Sequence, residues 1–174
     1  MNKNFFILTN NYYKFNKYLG DFEMYVYKSI LMPTDFSQGA EEAFEHVKDI
    51  AKSMGSFVHL LHVIQPVVYP AGIELAHESL VNLQEELEQV AHINLGKLEK
   101  RLNDLGIKTK STILLGTPSE QIAEYSLENN IDLIVIATHG ASGIERFLFG
   151  STTERVIRRA EIPVLVVHFK KKKD

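Results

Sequence analysis

The 174-residue chain contains no cysteine and no tryptophan. Without cysteine there is no disulfide framework and no thiolate metal or redox centre, and the composition suits a reducing compartment, so a cytoplasmic protein is expected. Long apolar runs are also missing. Stretches such as Ile131 to Ala137 fall well short of the roughly 20 residues that cross a bilayer, and no membrane contact is expected. At the N-terminus Phe5-Phe6-Ile7-Leu8 is shorter than the ~7 to 15 apolar residues of an export signal. An excess of positive charge is absent too. Nineteen Lys and Arg stand against 22 Asp and Glu, for a formal charge of -3, and they are scattered, which argues against a nucleic-acid partner. The one basic run, Lys170 to Lys173, reads as a solvated tail. The histidines are dispersed, and His77 and His92 do not stand in an i, i+4 arrangement, so no metal site of the chain's own is expected.

What remains is a composition with 45% hydrophobic residues, enough for one good core. One domain over residues 24–169 is expected, between an N-terminal segment 1–23 and the basic tail 170–174. Residues 1–23 are rich in Asn, Lys, Phe and Tyr, keep neither periodicity for long, and end at Met24 just before a clear strand. Two readings stay open: Met24 is the natural start, or the segment is a genuine extension whose aromatic residues pack on the domain or on a partner.

From Tyr27 onward, short β-branched runs alternate with longer amphipathic segments, the pattern of βαβ units. Five strands are predicted, at Tyr27 to Met32, Phe57 to Val63, Lys108 to Leu115, Leu133 to Ala137 and Val164 to His168. Several are nearly all apolar, as in a parallel sheet covered on both faces. The first helix is predicted to start after Ser37 as N-cap, to bury Ala40, Ala43, Phe44, Val47, Ala51 and Met54, and to stop at Gly55. The second carries Leu80, Leu83, Leu87, Ala91, Leu95, Leu98, Leu102 and Leu105 on one stripe and ends at Gly106. Thr117-Pro118-Ser119-Glu120 and Ser151-Thr152-Thr153-Glu154 read as capping boxes that open the third and fourth helices. The simplest outcome is an α/β fold with a five-stranded parallel doubly wound sheet, flavodoxin- or Rossmann-like, in strand order 3-2-1-4-5. Ligands of such sheets sit beyond the carboxyl ends of the strands, where the order reverses. The loops after the first and fourth strands are the places to look.

Those loops read Pro33-Thr34-Asp35-Phe36-Ser37 and Thr138-His139-Gly140, then nine residues, then Gly150-Ser151. Together with Leu60-Leu61-His62-Val63 and Ile162-Pro163-Val164-Leu165-Val166-Val167, they resemble the universal stress protein family over about Met24 to Phe169. Within that family the Gly-x-x-Gly, nine residues, Gly-Ser/Thr pattern is similar to the ATP-binding branch. The resemblance implies the adenine nucleotide alpha hydrolase-like version of the fold and bound ATP, with Mg²⁺ arriving on the nucleotide. It places Pro33, Thr34 and Asp35 at the adenine and ribose, Val63 at the base, and Gly140, Gly150 and Ser151 at the phosphates. Thr138 and His139 would line the turn, and Thr152 would add a hydrogen bond. It also implies a homodimer through the last strand, Val164 to His168, whose apolar edge a two-fold partner would cover.

One position departs from the pattern: Ala137 stands where the first glycine is expected. If that position needs positive φ, alanine costs roughly 1 kcal/mol or more, whereas at a strand end that needs only a small residue it is harmless. Gly143 makes a further Gly-x-x-Gly with Gly140 that would keep the loop open to phosphate. Gly96-Lys97 lacks the upstream glycine of a Walker motif and lies inside the leucine-striped helix. Leu114-Leu115-Gly116 offers no aspartate to a phospho-receiver reading. Three function classes follow. An ATP-binding regulatory module with slow or no hydrolysis comes first, a nucleotide-free protein acting by contact second, and a phosphoryl-transferring enzyme last, for want of catalytic residues.

Overall fold

The computed structural model describes residues 5–8, 26–66, 77–138 and 150–168. Its strands are β1 (Phe5–Leu8), β2 (Ser29–Pro33), β3 (Phe57–Ile64), β4 (Thr109–Leu115), β5 (Leu133–Ala137) and β6 (Val164–Val167). The helices are α1 (Gln38–Met54), α2 (His77–Asn103), α3 (Pro118–Glu128) and α4 (Ser151–Arg159). All strands form one sheet in the order β1-β6-β5-β2-β3-β4. Five run parallel in the predicted order, and β1 adds an antiparallel strand on the outer side of β6.

The core follows from the two-residue period of the strands. Ile30 and Met32 of β2, with Leu133, Val135 and Ala137 of β5, pack under α1 and α2 against Phe44, Val47, Leu95 and Leu102. Leu31, Ile134 and Ile136 point to the other face, where they meet Ile122 and Tyr125 of α3 and Val156 of α4. Both faces are therefore dry, which explains why β5 reads Leu-Ile-Val-Ile-Ala without alternation. Asp132 pins the start of the switch between β5 and β2, its carboxylate accepting from Lys28 N at 2.7 Å and Ser29 N at 3.1 Å.

α1 has the predicted ends. Ser37 Oγ accepts from Ala40 N at 3.2 Å, and Gly55 closes the helix at φ 70° with its N–H on Ala51 O at 2.8 Å. Met54, expected in the core, is instead 36% exposed on the last turn. α2 departs further. Ala91, Leu95, Leu98 and Leu102 are buried, but Leu83, Leu87 and Leu105 of the same stripe are exposed. The helix is long enough that its ends run past the sheet, so the apolar period continues where no strand lies beneath it. Leu80 lies where side chains are not described.

The capping boxes are also revised. Thr117 is the N-cap of α3, and Pro118 its first residue, but the Thr117 side chain makes no capping bond to the backbone. In α4 the N-cap is Gly150 rather than Ser151, which becomes the first helical residue, and among the described residues no side chain caps the helix. Finally, the outer edge of β6 is not open as expected. It carries β1, in the register Phe5↔Val167, Phe6↔Val166, Ile7↔Leu165 and Leu8↔Val164. Among the described residues no helix is long and apolar enough to cross a membrane.

Candidate functional site

β2 leaves the centre of the sheet with β3 on one side and β5 on the other, so the chain departs in opposite directions at their carboxyl ends and opens a crevice. A cavity of about 660 Å³ occupies this point, within the range of small-molecule sites. Pro33, Thr34, Asp35, Val63, Ala137, Gly150, Ser151 and Thr152 all line it. Residues far apart in the chain that were selected for one ligand thus converge on one space. Thr138 stands behind the wall, 2% exposed. His139, Gly140 and Gly143 lie outside the described residues.

The β2–α1 turn is held by its own side chains. Thr34 N donates to Leu61 O at 2.9 Å, Thr34 Oγ1 accepts from Phe36 N at 3.0 Å, and Asp35 Oδ1 accepts from Ser37 N at 3.1 Å. The first bond ties the turn to the end of β3, and the other two, each between residues two apart, turn the chain sharply. Phe36 takes the strain, adopting φ 62°, a left-handed conformation that is an outlier for a bulky residue. Its ring stacks on His62 with centroids 4.6 Å apart and planes at 28°. His62 Nδ1 lies 2.8 Å from Thr34 O. A carbonyl oxygen only accepts, so Nδ1 carries the proton of that bond and Nε2 of the neutral ring is left as an acceptor.

The opposite wall is built around the start of α4. Gly150 N donates to Thr138 O at 2.6 Å, Thr138 N donates to Val167 O at 2.9 Å, and Thr153 Oγ1 donates to Ala137 O at 2.7 Å. These bonds tie the first turn of α4 to the ends of β5 and β6. Gly150 has no side chain to cap the helix, and Gly150, Ser151, Thr152 and Thr153 line the cavity, so the positive end of the α4 dipole borders it. That geometry suits an anion, phosphate above all. Ala137 belongs to β5, and among the described non-glycine residues positive φ occurs at Phe36 and Asn130 alone. At this position the chain has an ordinary strand conformation, which alanine adopts without strain.

Several lining residues were not singled out by the sequence pattern. Phe36 and His62 lay within the quoted motifs but were given no role, and Thr153 was read only as part of a cap. Leu87, Val90 and Ala91 of α2 close the apolar side of the mouth together with Pro118 and Ile122. Their signal was the leucine stripe itself, which runs beyond what the core needs. Among the described residues no cluster of His, Asp and Glu could hold a metal ion.

Known proteins share both the sequence and the shape. Universal stress protein MJ0577 of Methanocaldococcus jannaschii is 36% identical over 154 residues, covering 82% of this chain and 95% of that protein. Universal stress protein MJ0531 of the same organism is 37% identical over 172 residues, which is 99% of each chain. The solved structure of MJ0577 superposes with a TM-score of 0.77 over 85% of this chain and 100% of that one, and UspA of Lactobacillus plantarum with 0.75, at 26% identity, over 83% and 99%. A universal stress protein solved in complex with cAMP shares the fold at 23% identity and a TM-score of 0.57, over 83% of this chain and 98% of that one. The model of the universal stress protein family matches residues 26–168. The chain belongs to the universal stress protein family.

Proposed function

We propose that the chain is an adenine-nucleotide-binding regulatory protein of the stress response, with ATP as the ligand and little or no turnover. The observation that carries this reading is the cavity at the sheet's switch point, where the β2–α1 turn faces the uncapped N-terminus of α4. Base and ribose lie against Pro33, Thr34, Asp35 and Val63. Gly140, Gly150 and Ser151 hold the phosphates, Thr152 adds a hydrogen bond, Thr138 and His139 line the turn, and Gly143 keeps the loop open. Mg²⁺ comes with the phosphates, since the described residues provide no ready cluster for it.

Hydrolysis is slow in this reading. Among the described residues, the titratable side chains lining the cavity are Asp35 and His62. Each is turned toward the backbone, Asp35 accepting from Ser37 N and His62 donating to Thr34 O, and neither is poised over the phosphate end. The alternative of a nucleotide-free protein drew its support from Ala137, and the strand conformation of that residue supports the nucleotide-binding reading instead. The site of action is the cytoplasm, and residues 24–169 are the working domain. Pairing of two copies through the outer edge of β6 requires β1, which occupies that edge, to move aside.

Calorimetric titration of nucleotide-stripped protein with ATP and Mg²⁺ tests the proposal, beside a Gly150→Trp variant that fills the start of α4. Saturable binding lost in the variant is the expected result. Absence of heat at millimolar ATP, or equal binding in both proteins, would overturn it.

A further inference from the structure

Near its carboxyl end β3 carries a histidine that the neighbouring turn holds still. His62 Nδ1 lies 2.8 Å from Thr34 O, so its proton is committed to that carbonyl. One face of the ring is covered by Phe36, with centroids 4.6 Å apart and planes at 28°. The left-handed backbone of Phe36, φ 62°, brings the phenyl ring over the strand end, and strain of this kind persists where the surroundings over-determine it. One contact at a nitrogen and one on the face fix both the plane of the imidazole and the way round it sits.

What the ring then presents is Nε2. It has no hydrogen-bond partner among the described residues, and among these no side-chain nitrogen or oxygen sealed from solvent lacks one, so Nε2 is open. His62 lines the cavity between Thr34 and Val63, on the wall opposite the start of α4. In the neutral ring Nε2 only accepts. A fixed neutral acceptor beside a purine distinguishes the group at position 6: an amine donates to it, whereas a carbonyl oxygen sets lone pair against lone pair.

We propose that His62 is a specificity-determining residue of the nucleotide site, its Nε2 accepting a hydrogen bond from the 6-amino group of the base and so selecting 6-aminopurine over 6-oxopurine nucleotides. This rests on the reading that the cavity holds an adenine nucleotide. Val63, the next residue, is placed at the base in that reading, which brings the base rather than the sugar to this part of the wall.

Nucleotide-stripped protein titrated calorimetrically with ATP, inosine triphosphate and 2′-deoxy-ATP tests the role. Two variants stand beside the wild type: His62→Asn keeps an N–H for Thr34 O but reaches no further, and His62→Phe keeps the ring stack without an acceptor. The wild-type chain should bind ATP about tenfold more tightly than inosine triphosphate, the contribution of one hydrogen bond, and 2′-deoxy-ATP within about threefold of ATP. In the folded variants ATP affinity should fall about tenfold and that for inosine triphosphate should hold within about twofold, so the preference disappears. A wild-type chain that binds ATP and inosine triphosphate alike, a folded variant that keeps the preference, or variants that instead lose a preference for the 2′-hydroxyl would overturn the role of His62 and leave nucleotide binding in place. A wild-type chain that binds none of the three would overturn the adenine-nucleotide reading and this inference with it.

Discussion

The two turns that wall the cavity begin helices in opposite ways. At the start of α1 the chain supplies its own acceptors: Ser37 caps the helix, and Thr34 and Asp35 hold the turn, so the local donors are consumed by the chain itself. At the start of α4 the N-cap is glycine and no side chain closes the helix. Both junctions follow a central strand and both face the same space. One is finished and stiff, suited to shape a wall for a neutral base. The other has a glycine N-cap and, among the described residues, no capping side chain, which suits the helix end to an anionic group.

The comparison can be broken most sharply by making the second turn resemble the first. In Gly150→Asp a carboxylate caps α4 and puts negative charge where phosphate is proposed to sit. ATP affinity should fall at least ~10-fold, the loss of one or two charge-assisted hydrogen bonds at about 1.5–3 kcal/mol each. Folding stability should be kept or slightly raised, and titration beside thermal unfolding separates the two effects. Ser37→Ala is the reciprocal change. Removing the α1 cap should cost about 1 kcal/mol of stability in denaturant unfolding. Its effect on ATP affinity should stay below about threefold, a fraction of a kcal/mol.

Ala137→Gly makes a finer cut. If the strand conformation of this residue is what the site requires, restoring the family's glycine should leave affinity within about twofold and lower stability by roughly 0.5–1 kcal/mol. A tenfold gain in affinity would show instead that the loop needs a glycine backbone. His59 lies on neither side of the comparison. It is buried between β3 and α3 with Nδ1 3.0 Å from Tyr125 Oη, which in turn lies 3.2 Å from Thr112 Oγ1. Burial, helped by the charge of Lys110, lowers its pKa from the ordinary 6.5. The unfolded chain thus takes up this proton at higher pH than the folded one, so the stabilisation is full above about pH 6.5 and is lost as pH falls toward the folded-state value. Urea unfolding across that range should show the slope, and His59→Gln should flatten it while leaving ATP affinity at neutral pH unchanged.

Much of this architecture was legible because parallel sheets covered on both faces leave nearly pure apolar runs, and because Ser37, Gly55 and Pro118 punctuate helices in ways backbone chemistry enforces. The strand order came from topology and handedness rather than from any residue. Other features were hidden for physical reasons. Phe5–Leu8 is too short to show alternation, and its pairing with β6 is a contact across almost the whole chain. The leucine period of α2 reports which way the residues face but not where the sheet beneath them ends, so Leu83 and Leu87 read like Leu95 and Leu102. At α4, Ser151 carries the better capping side chain, yet Gly150 takes the cap position while Thr153 is drawn to Ala137 O. His62 and Phe36 form their stack only because a left-handed turn folds one strand end over the next.

The most direct measurement is a titration of isotope-labelled protein with ATP and Mg²⁺, following backbone amide resonances. Saturable shifts at Ser151, Thr152 and Thr153, joined by Phe36 across the cavity and greater for ATP than for adenosine at the α4 amides, are the predicted result. Amides of the first turn of α4 that stay in place while ATP saturates the protein elsewhere would contradict the account.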